Sequence, residues 1–351
     1  MTLPRPSLKI IAVNLLTYGI THAAIDCICA ATIFSIFKDK LVDAYLFFGL
    51  VVVYDSLAFA IQPVLGLLAD KYRSAKLLTV IGCAVTGIAA LSYLTSPIVA
   101  AILAGIGNAL FHVGGGIISL NLTPKKATAP GIFVAPGAIG LLIGTLLGKN
   151  GQFIPLFAFI VLILLCVLIL FTKPPEINYS ENNKGEIPFN KFELILLFIF
   201  LAVAVRSLVG SVLIFPWKTD INLLYILTGA VFLGKAAGGI LADKLGWTKV
   251  AVCSLIISIP FIILDANIPI LAIMGMFFFN MTMPITLTAI SNILPGRAGF
   301  AFGLTTLALI IGAIPSFLSN KGFFANEFFL FFVIIAAVIM LYKSLRWAEN
   351  V

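Results

Sequence analysis

The sequence predicts an all-α membrane protein with twelve transmembrane helices arranged as two six-helix halves. Three observations predict it: a composition too apolar for a water-facing surface, twelve apolar runs of bilayer-spanning length, and basic residues concentrated in alternate loops. Of the 351 residues, 61% are hydrophobic and 10% are charged. In water, a fold of that make-up would expose large apolar patches. Crossing a bilayer takes ~20 apolar residues per helix. Backbone groups in lipid must find partners within their own segment, which makes these runs helices. None of them shows the polar alternation of a membrane strand.

The first apolar run, 8–37, is too long for a signal-peptide core and lacks a small-residue cleavage site, so it reads as a retained span. The others are expected at 43–69, 76–95, 97–121, 130–148, 153–172, 192–216, 221–242, 248–265, 267–290, 298–318 and 326–346. Turns at Ser96-Pro97 and at Asn267-Ile268-Pro269 divide the third span from the fourth and the ninth from the tenth. With an even number of spans, 15 of the 22 basic residues fall in one set of loops, from Arg5 and Lys9 to Lys343 and Arg346. The other set holds five: Lys38, Lys40, Lys149, Lys218 and Lys321. The positive-inside rule then puts both termini in the cytoplasm of a multi-pass inner-membrane protein. It also explains the net charge of +8 without a nucleic-acid partner.

The polar stretch 172–191, TKPPEINYSENNKGEIPFNK, has no helical apolar period and reads as a flexible cytoplasmic linker. It separates an N-terminal six-helix bundle, 1–171, from a C-terminal one, 192–351. The five cysteines lie inside apolar runs and read as small hydrophobes, with no metal spacing and no disulfide framework. Asp265 is expected at the outer interface.

The two halves repeat a motif. Gly66-Leu67-Leu68-Ala69-Asp70-Lys71 follows the second span, with Arg73 and Lys76 beyond it. Gly239-Ile240-Leu241-Ala242-Asp243-Lys244 follows the eighth, with Lys249 beyond it. A duplication of six spans plus six predicts a recurrence at this position. Read from the residues alone, Asp70 and Asp243 are either gating carboxylates or ordinary loop caps among positive-inside lysines. The two loops resemble the signature after the second helix of major facilitator transporters. That resemblance implies a secondary transporter working by alternating access, with gating loops formed by Gly66, Asp70, Lys71, Arg73, Gly239, Asp243 and Lys244. It also implies that each Asp braces the cytoplasmic helix ends against a neighbouring helix N-terminus, where a carboxylate gains ~0.3–1 kcal/mol.

The first half is similar to the fosmidomycin-resistance-like efflux branch of that superfamily. The shared features are His22 and Asp26 in the first span, Gln62-Pro63 and Gly66 in the second, and Gly105, Gly107, Ala109, Phe111 and His112 in the fourth. This resemblance implies proton-coupled efflux by an antiporter. The chain departs from the branch where Val113-Gly114 follow Phe111-His112 in place of Pro-Glu. Thr145 stands in the glycine-rich fifth span where antiporters carry a proline.

Polar side chains are costly within a bilayer, ~2.5–3.5 kcal/mol for a charge. Asn14, Tyr18, His22 and Asp26 recur every four residues and form one stripe on the first helix. The stripe is either the wall of a wetted cavity or a hydrogen-bonded helix seam. Asp55 in the second span, Asn108 and His112 in the fourth, and Arg206 in the seventh complete the candidate substrate and proton cavity. Arg206 stays charged and needs a carboxylate or an anionic substrate. Lys235 lies nearer the cytoplasmic end of its span, within reach of the surface. There is no Gly-x-Ser-x-Gly elbow, no metal-binding His-x-x-x-His and no phosphate-cradling loop, so neither an enzyme nor a nucleotide-driven pump is expected. A monomer is expected, with no metal and no cofactor other than a proton gradient. Two readings remain: a secondary transporter of a small solute, exporting or importing, and a non-transporting membrane sensor.

Overall fold

The computed structural model of the chain describes residues 6–177, 179, 189–263, 267–318 and 322–349. Half of the predicted linker, Lys184 included, lies outside the described residues, as do Arg5, Asp265 and Lys321. The regular structure of the described residues is all helical, with no strand among them. Among the described residues, ten helices are long and apolar enough to span a membrane, and two further apolar helices have 17 residues each. They are α1 (Leu8–Lys38), α2 (Ala44–Tyr72), α3 (Ala75–Ser92), α4 (Pro97–Leu122), α5 (Thr128–Lys149) and α6 (Pro155–Phe171). In the second half they are α7 (Phe189–Val212), α8 (Ile221–Leu245), α9 (Trp247–Ile263), α10 (Pro269–Ile293), α11 (Ala298–Phe317) and α12 (Glu327–Glu349). Each falls on one of the twelve expected spans.

Local chemistry sets the ends of these rods. Ser7, Asp43 and Asp220 accept the first free N–H groups of α1, α2 and α8, the usual work of such residues at an N-cap. At the other pole Lys76 donates to Leu170 O (2.7 Å) and Thr172 O (3.0 Å) at the end of α6, where a cation meets the orphan carbonyls. Outside the spans, Tyr93 Oη donates to Asp39 Oδ2 at 3.1 Å.

Proline sets the interruptions. Pro63 has no N–H for the carbonyl of Phe59, and the chain accommodates this with a π turn at Ser56–Ala60. Pro136 divides α5 into Thr128–Val134 and Pro136–Lys149. Pro284 faces the carbonyl of Asn280, and α10 divides there into Pro269–Asn280 and Thr282–Ile293.

The chain forms two compact units. The first comprises Met1–Pro124, Pro136–Tyr179 and Arg297–Gly303. In it α3 packs on α4 and α6, while α1 packs on α4 and on the second piece of α5. The second comprises Lys125–Ala135, Ser180–Gly296 and Leu304–Val351. There α12 packs on α7 and α9, and α8 packs on α10 and on the first piece of α5. Large apolar side chains point outward, such as Phe157 at 65%, Leu164 at 63% and Phe332 at 65% exposure. That distribution suits lipid and not water.

Candidate functional site

Within the first unit, α1 and α5 approach more closely than side chains would allow. A Cβ on Gly140 would run into Ala23 O, and one on Gly144 into Cys27 O. Gly137, one turn earlier, brings the α5 backbone against His22 and Asp26: a Cβ there would lie 2.5 Å from both Asp26 Oδ2 and His22 Nε2. Small residues at such spacing let helix backbones meet in lipid.

His22 and Asp26 are one turn apart on α1, with His22 Nε2 3.2 Å from Asp26 Oδ2. Across from them α4 presents Asn108 and His112, also one turn apart. His112 Nε2 lies 2.9 Å from His22 Nε2 and 3.6 Å from Asp26 Oδ1. Asn108 Nδ2 donates to Asp26 Oδ1 at 3.2 Å and faces Tyr54 Oη of α2 at 3.4 Å. His112 Nδ1 is 2.9 Å from the carbonyl of Asn108. A carbonyl only accepts, so this nitrogen is the N–H donor, and neutral His112 then has an acceptor Nε2. Two Nε2 atoms and a carboxylate therefore converge on one point, and a shared proton can bridge them. The side chains of His22, His112 and Asp26 are 5%, 11% and 19% exposed, so the cluster is sheltered, with the carboxylate its most accessible member.

The rest of the α1 stripe has separate partners. Asn14 Nδ2 donates to Ile10 O (2.8 Å) and Lys173 O (2.9 Å), tying α1 to the chain that leaves α6. Tyr18 is buried. Asp55 is half-buried and closes the first segment of α2, directly before the π turn. Tyr54 and Gly137 were not among the expected site residues. Tyr54 offered no signal in the sequence, while Gly137 was legible as the start of the Gly137, Gly140, Gly144, Gly148 series.

In the second unit, Arg206 lies within α7 at 9% exposure, and its Nε and Nη2 have no hydrogen-bond partner among the described residues. Lys235 Nζ on α8 is 3.5 Å from Val134 O.

The duplicated loops show duplicated geometry. In the first unit, Asp70 Oδ1 and Oδ2 accept the N–H groups of Gly299 and Phe300, each at 2.9 Å, at the start of α11. In the second unit, Asp243 accepts from Ala127 N (2.8 Å), Thr128 N (2.9 Å) and Thr128 Oγ1 (2.5 Å) at the start of α5. Trp247 Nε1 adds a donor at 3.2 Å. The glycine four residues before each Asp permits the approach, since a Cβ on Gly66 would meet Gly299 O and one on Gly239 would meet Ala127 O. Beside Asp70, Arg73 ends its helix in the left-handed conformation (φ 53°) and stacks over the Tyr179 ring at 5.7 Å. Burial pushes the Tyr179 hydroxyl up to about 12, so the ring under the guanidinium is neutral. Lys71 and Lys244 occupy the last turns of α2 and α8, where cations suit the helix dipole.

The profile of the Major Facilitator Superfamily matches residues 15–317. Among solved structures, the chain is similar to the human organic anion transporter MFSD10 (TETRAN), with a TM-score of 0.71 and 14% identity over 96% of this chain and 100% of that one. It is also similar to the E. coli fucose:proton symporter FucP, with a TM-score of 0.63 and 13% identity over 95% of this chain and 99% of that one. No curated protein sequence matches it significantly. The apolar rods, the repeated Asp-capped helix starts and the profile over residues 15–317 agree, and the chain belongs to the Major Facilitator Superfamily of multi-pass membrane transporters.

Proposed function

We propose that the chain is a proton-coupled secondary transporter that exports a small organic anion. The observation that carries the reading is the convergence of His22, Asp26 and His112, three groups that exchange protons, on one point midway along α1 and α4. Such a cluster holds a proton as a unit, and its apparent affinity belongs to all three members. A change in hydration between two conformations shifts that affinity, because burial disfavours a lone carboxylate and a protonated imidazole favours it. Arg206 supplies the sign of the solute: a guanidinium always carries its charge, and two of its buried nitrogens await an acceptor. The resemblance of the first half to the fosmidomycin-resistance-like branch supports export. The organic anion transporter among the structural neighbours agrees with the sign of the solute.

Asp70 and Asp243 are proposed to act as gates. Each holds a helix start from the opposite half of the sequence through hydrogen bonds to its free N–H groups. Breaking and remaking such caps suits rocking transport, and neither carboxylate touches the His–Asp–His cluster.

The direct test compares metabolites inside and outside cells that lack the protein with those that overproduce it, followed by counterflow of the responding anion in proteoliposomes. Export predicts that the anion builds up inside the deletion cells and is depleted in the overproducers, and that protein-containing vesicles exchange it. A sensor exchanges nothing, and an importer reverses the cellular pattern.

A further inference from the structure

The chain has two histidines. They stand 90 positions apart, and the fold places their Nε2 atoms 2.9 Å from each other beside the same carboxylate. We propose that His22, His112 and Asp26 form a three-donor site for a first-row transition-metal dication of the Zn2+, Co2+ or Ni2+ class. This goes beyond the proton reading of the same cluster and does not depend on the anion.

The separations of the donor atoms carry the argument. An ion bound at ~2.0–2.1 Å sets its ligand atoms about 2.9 Å apart at right-angle coordination and about 3.3 Å apart at tetrahedral coordination. The observed separations are 2.9 Å between the two Nε2 atoms, 3.2 Å from His22 Nε2 to Asp26 Oδ2 and 3.6 Å from His112 Nε2 to Asp26 Oδ1, and one donor atom from each residue lies within 4.8 Å of the others. The first two match these values, and the two carboxylate oxygens each face one imidazole, so an ion can be bound by a local adjustment of the Asp26 carboxylate.

The supporting groups are those a metal site uses. His112 donates Nδ1–H to the Asn108 carbonyl at 2.9 Å, which directs its Nε2 lone pair toward the cluster. The Asn108 amide holds Asp26 Oδ1 at 3.2 Å. Outer hydrogen bonds of both kinds orient metal ligands. Gly137 leaves the space: a methyl there would lie 2.5 Å from Asp26 Oδ2 and His22 Nε2. Two imidazoles and one carboxylate select for Zn2+-like ions over Mg2+ and Ca2+, which prefer all-oxygen shells. Three protein donors leave at least one position open for water or solute.

The test is titration of the full chain, purified in detergent without a polyhistidine tag, with cobalt chloride. Visible absorption reports the Co2+ ligands, and zinc chloride serves as competitor. The expected result is one saturable Co2+ per chain, with a nitrogen- and oxygen-ligand spectrum that Zn2+ displaces. His22→Ala and His112→Ala should each weaken binding by roughly 100-fold or more, and Asn108→Ala by about 10–100-fold. Gly137→Ala keeps all three donors but fills the space between them, and it should also lose the signal while eluting as the parent does on gel filtration. No saturable Co2+ spectrum in folded parent protein would overturn the site. So would a thiolate-to-cobalt charge-transfer band, or binding retained in the His22→Ala/His112→Ala double variant. A parent that couples transport to protons yet binds no cobalt sinks the metal site alone. A parent that binds cobalt at these residues yet ignores a pH gradient sinks the proton reading alone.

Discussion

At the residue scale, Arg206 is the sharpest commitment in the second unit. Leaving a buried donor without a partner costs ~1–3 kcal/mol, more for a charged group, and Arg206 leaves both Nε and Nη2 in that state. A bound anion would satisfy both with the planar fork of the guanidinium. Arg206→Gln should therefore abolish counterflow of the anion. Arg206→Lys keeps the charge but not the fork, and should weaken apparent affinity by roughly tenfold. Normal exchange by Arg206→Gln would make the guanidinium structural. His22, Asp26, His112 and Arg206 could be picked out from the sequence because a polar group in an apolar run is expensive and stands out. The pairing of His22 with Asp26 was legible from their spacing, but the direct contact of both with His112 was not. No linear spacing links α1 to α4, so the meeting of the two histidines appears only once the helices pack.

At the element scale, the contact between α1 and α5 depends on glycine. A side chain on Gly144 would overlap Cys27 O, a backbone atom that cannot move aside without moving α1. Gly144→Val should lower stability by about 1–3 kcal/mol, as overpacking does, and should reduce the melting temperature in detergent accordingly. Gly210 on α7 has nothing within 4 Å of a built Cβ. Gly210→Ala should be neutral or stabilising by about 0.5–1 kcal/mol. Equal melting temperatures for the parent and Gly144→Val would contradict the close packing. The helices themselves were legible because a run of apolar residues has few alternatives in lipid. Their ends were less so: the eighth span, expected to stop at 242, continues to Leu245 until Gly246 ends it at φ 98°. The π turn after Asp55 escaped detection, since it depends on how the chain absorbs the N–H missing from Pro63, and hydropathy does not record that.

At the scale of the whole molecule, the proposed transport cycle uses two devices: the Asp-capped helix starts and the His–Asp–His cluster. Losing a carboxylate cap costs about 0.5–2 kcal/mol, enough to shift the balance between two conformations without touching solute. Asp70→Asn and Asp243→Asn should leave anion affinity within a factor of about 2 while slowing exchange by roughly 5–30-fold. Loss of affinity with unchanged turnover would rule out the gating role. The repeat that located these carboxylates was legible because duplication preserved the Gly-to-Asp spacing in both halves; their partners on α5 and α11 were not, being distant in sequence. The most direct measurement of the proposed proton coupling is uptake of the proposed anionic solute into proteoliposomes under an imposed pH gradient, comparing the parent with Asp26→Asn. The parent should accumulate the anion above equilibrium. Asp26→Asn should still exchange anion for anion but only equilibrate under the gradient. Gradient-driven accumulation by Asp26→Asn at the parent's level would contradict the account, because the proton would then be travelling by another route.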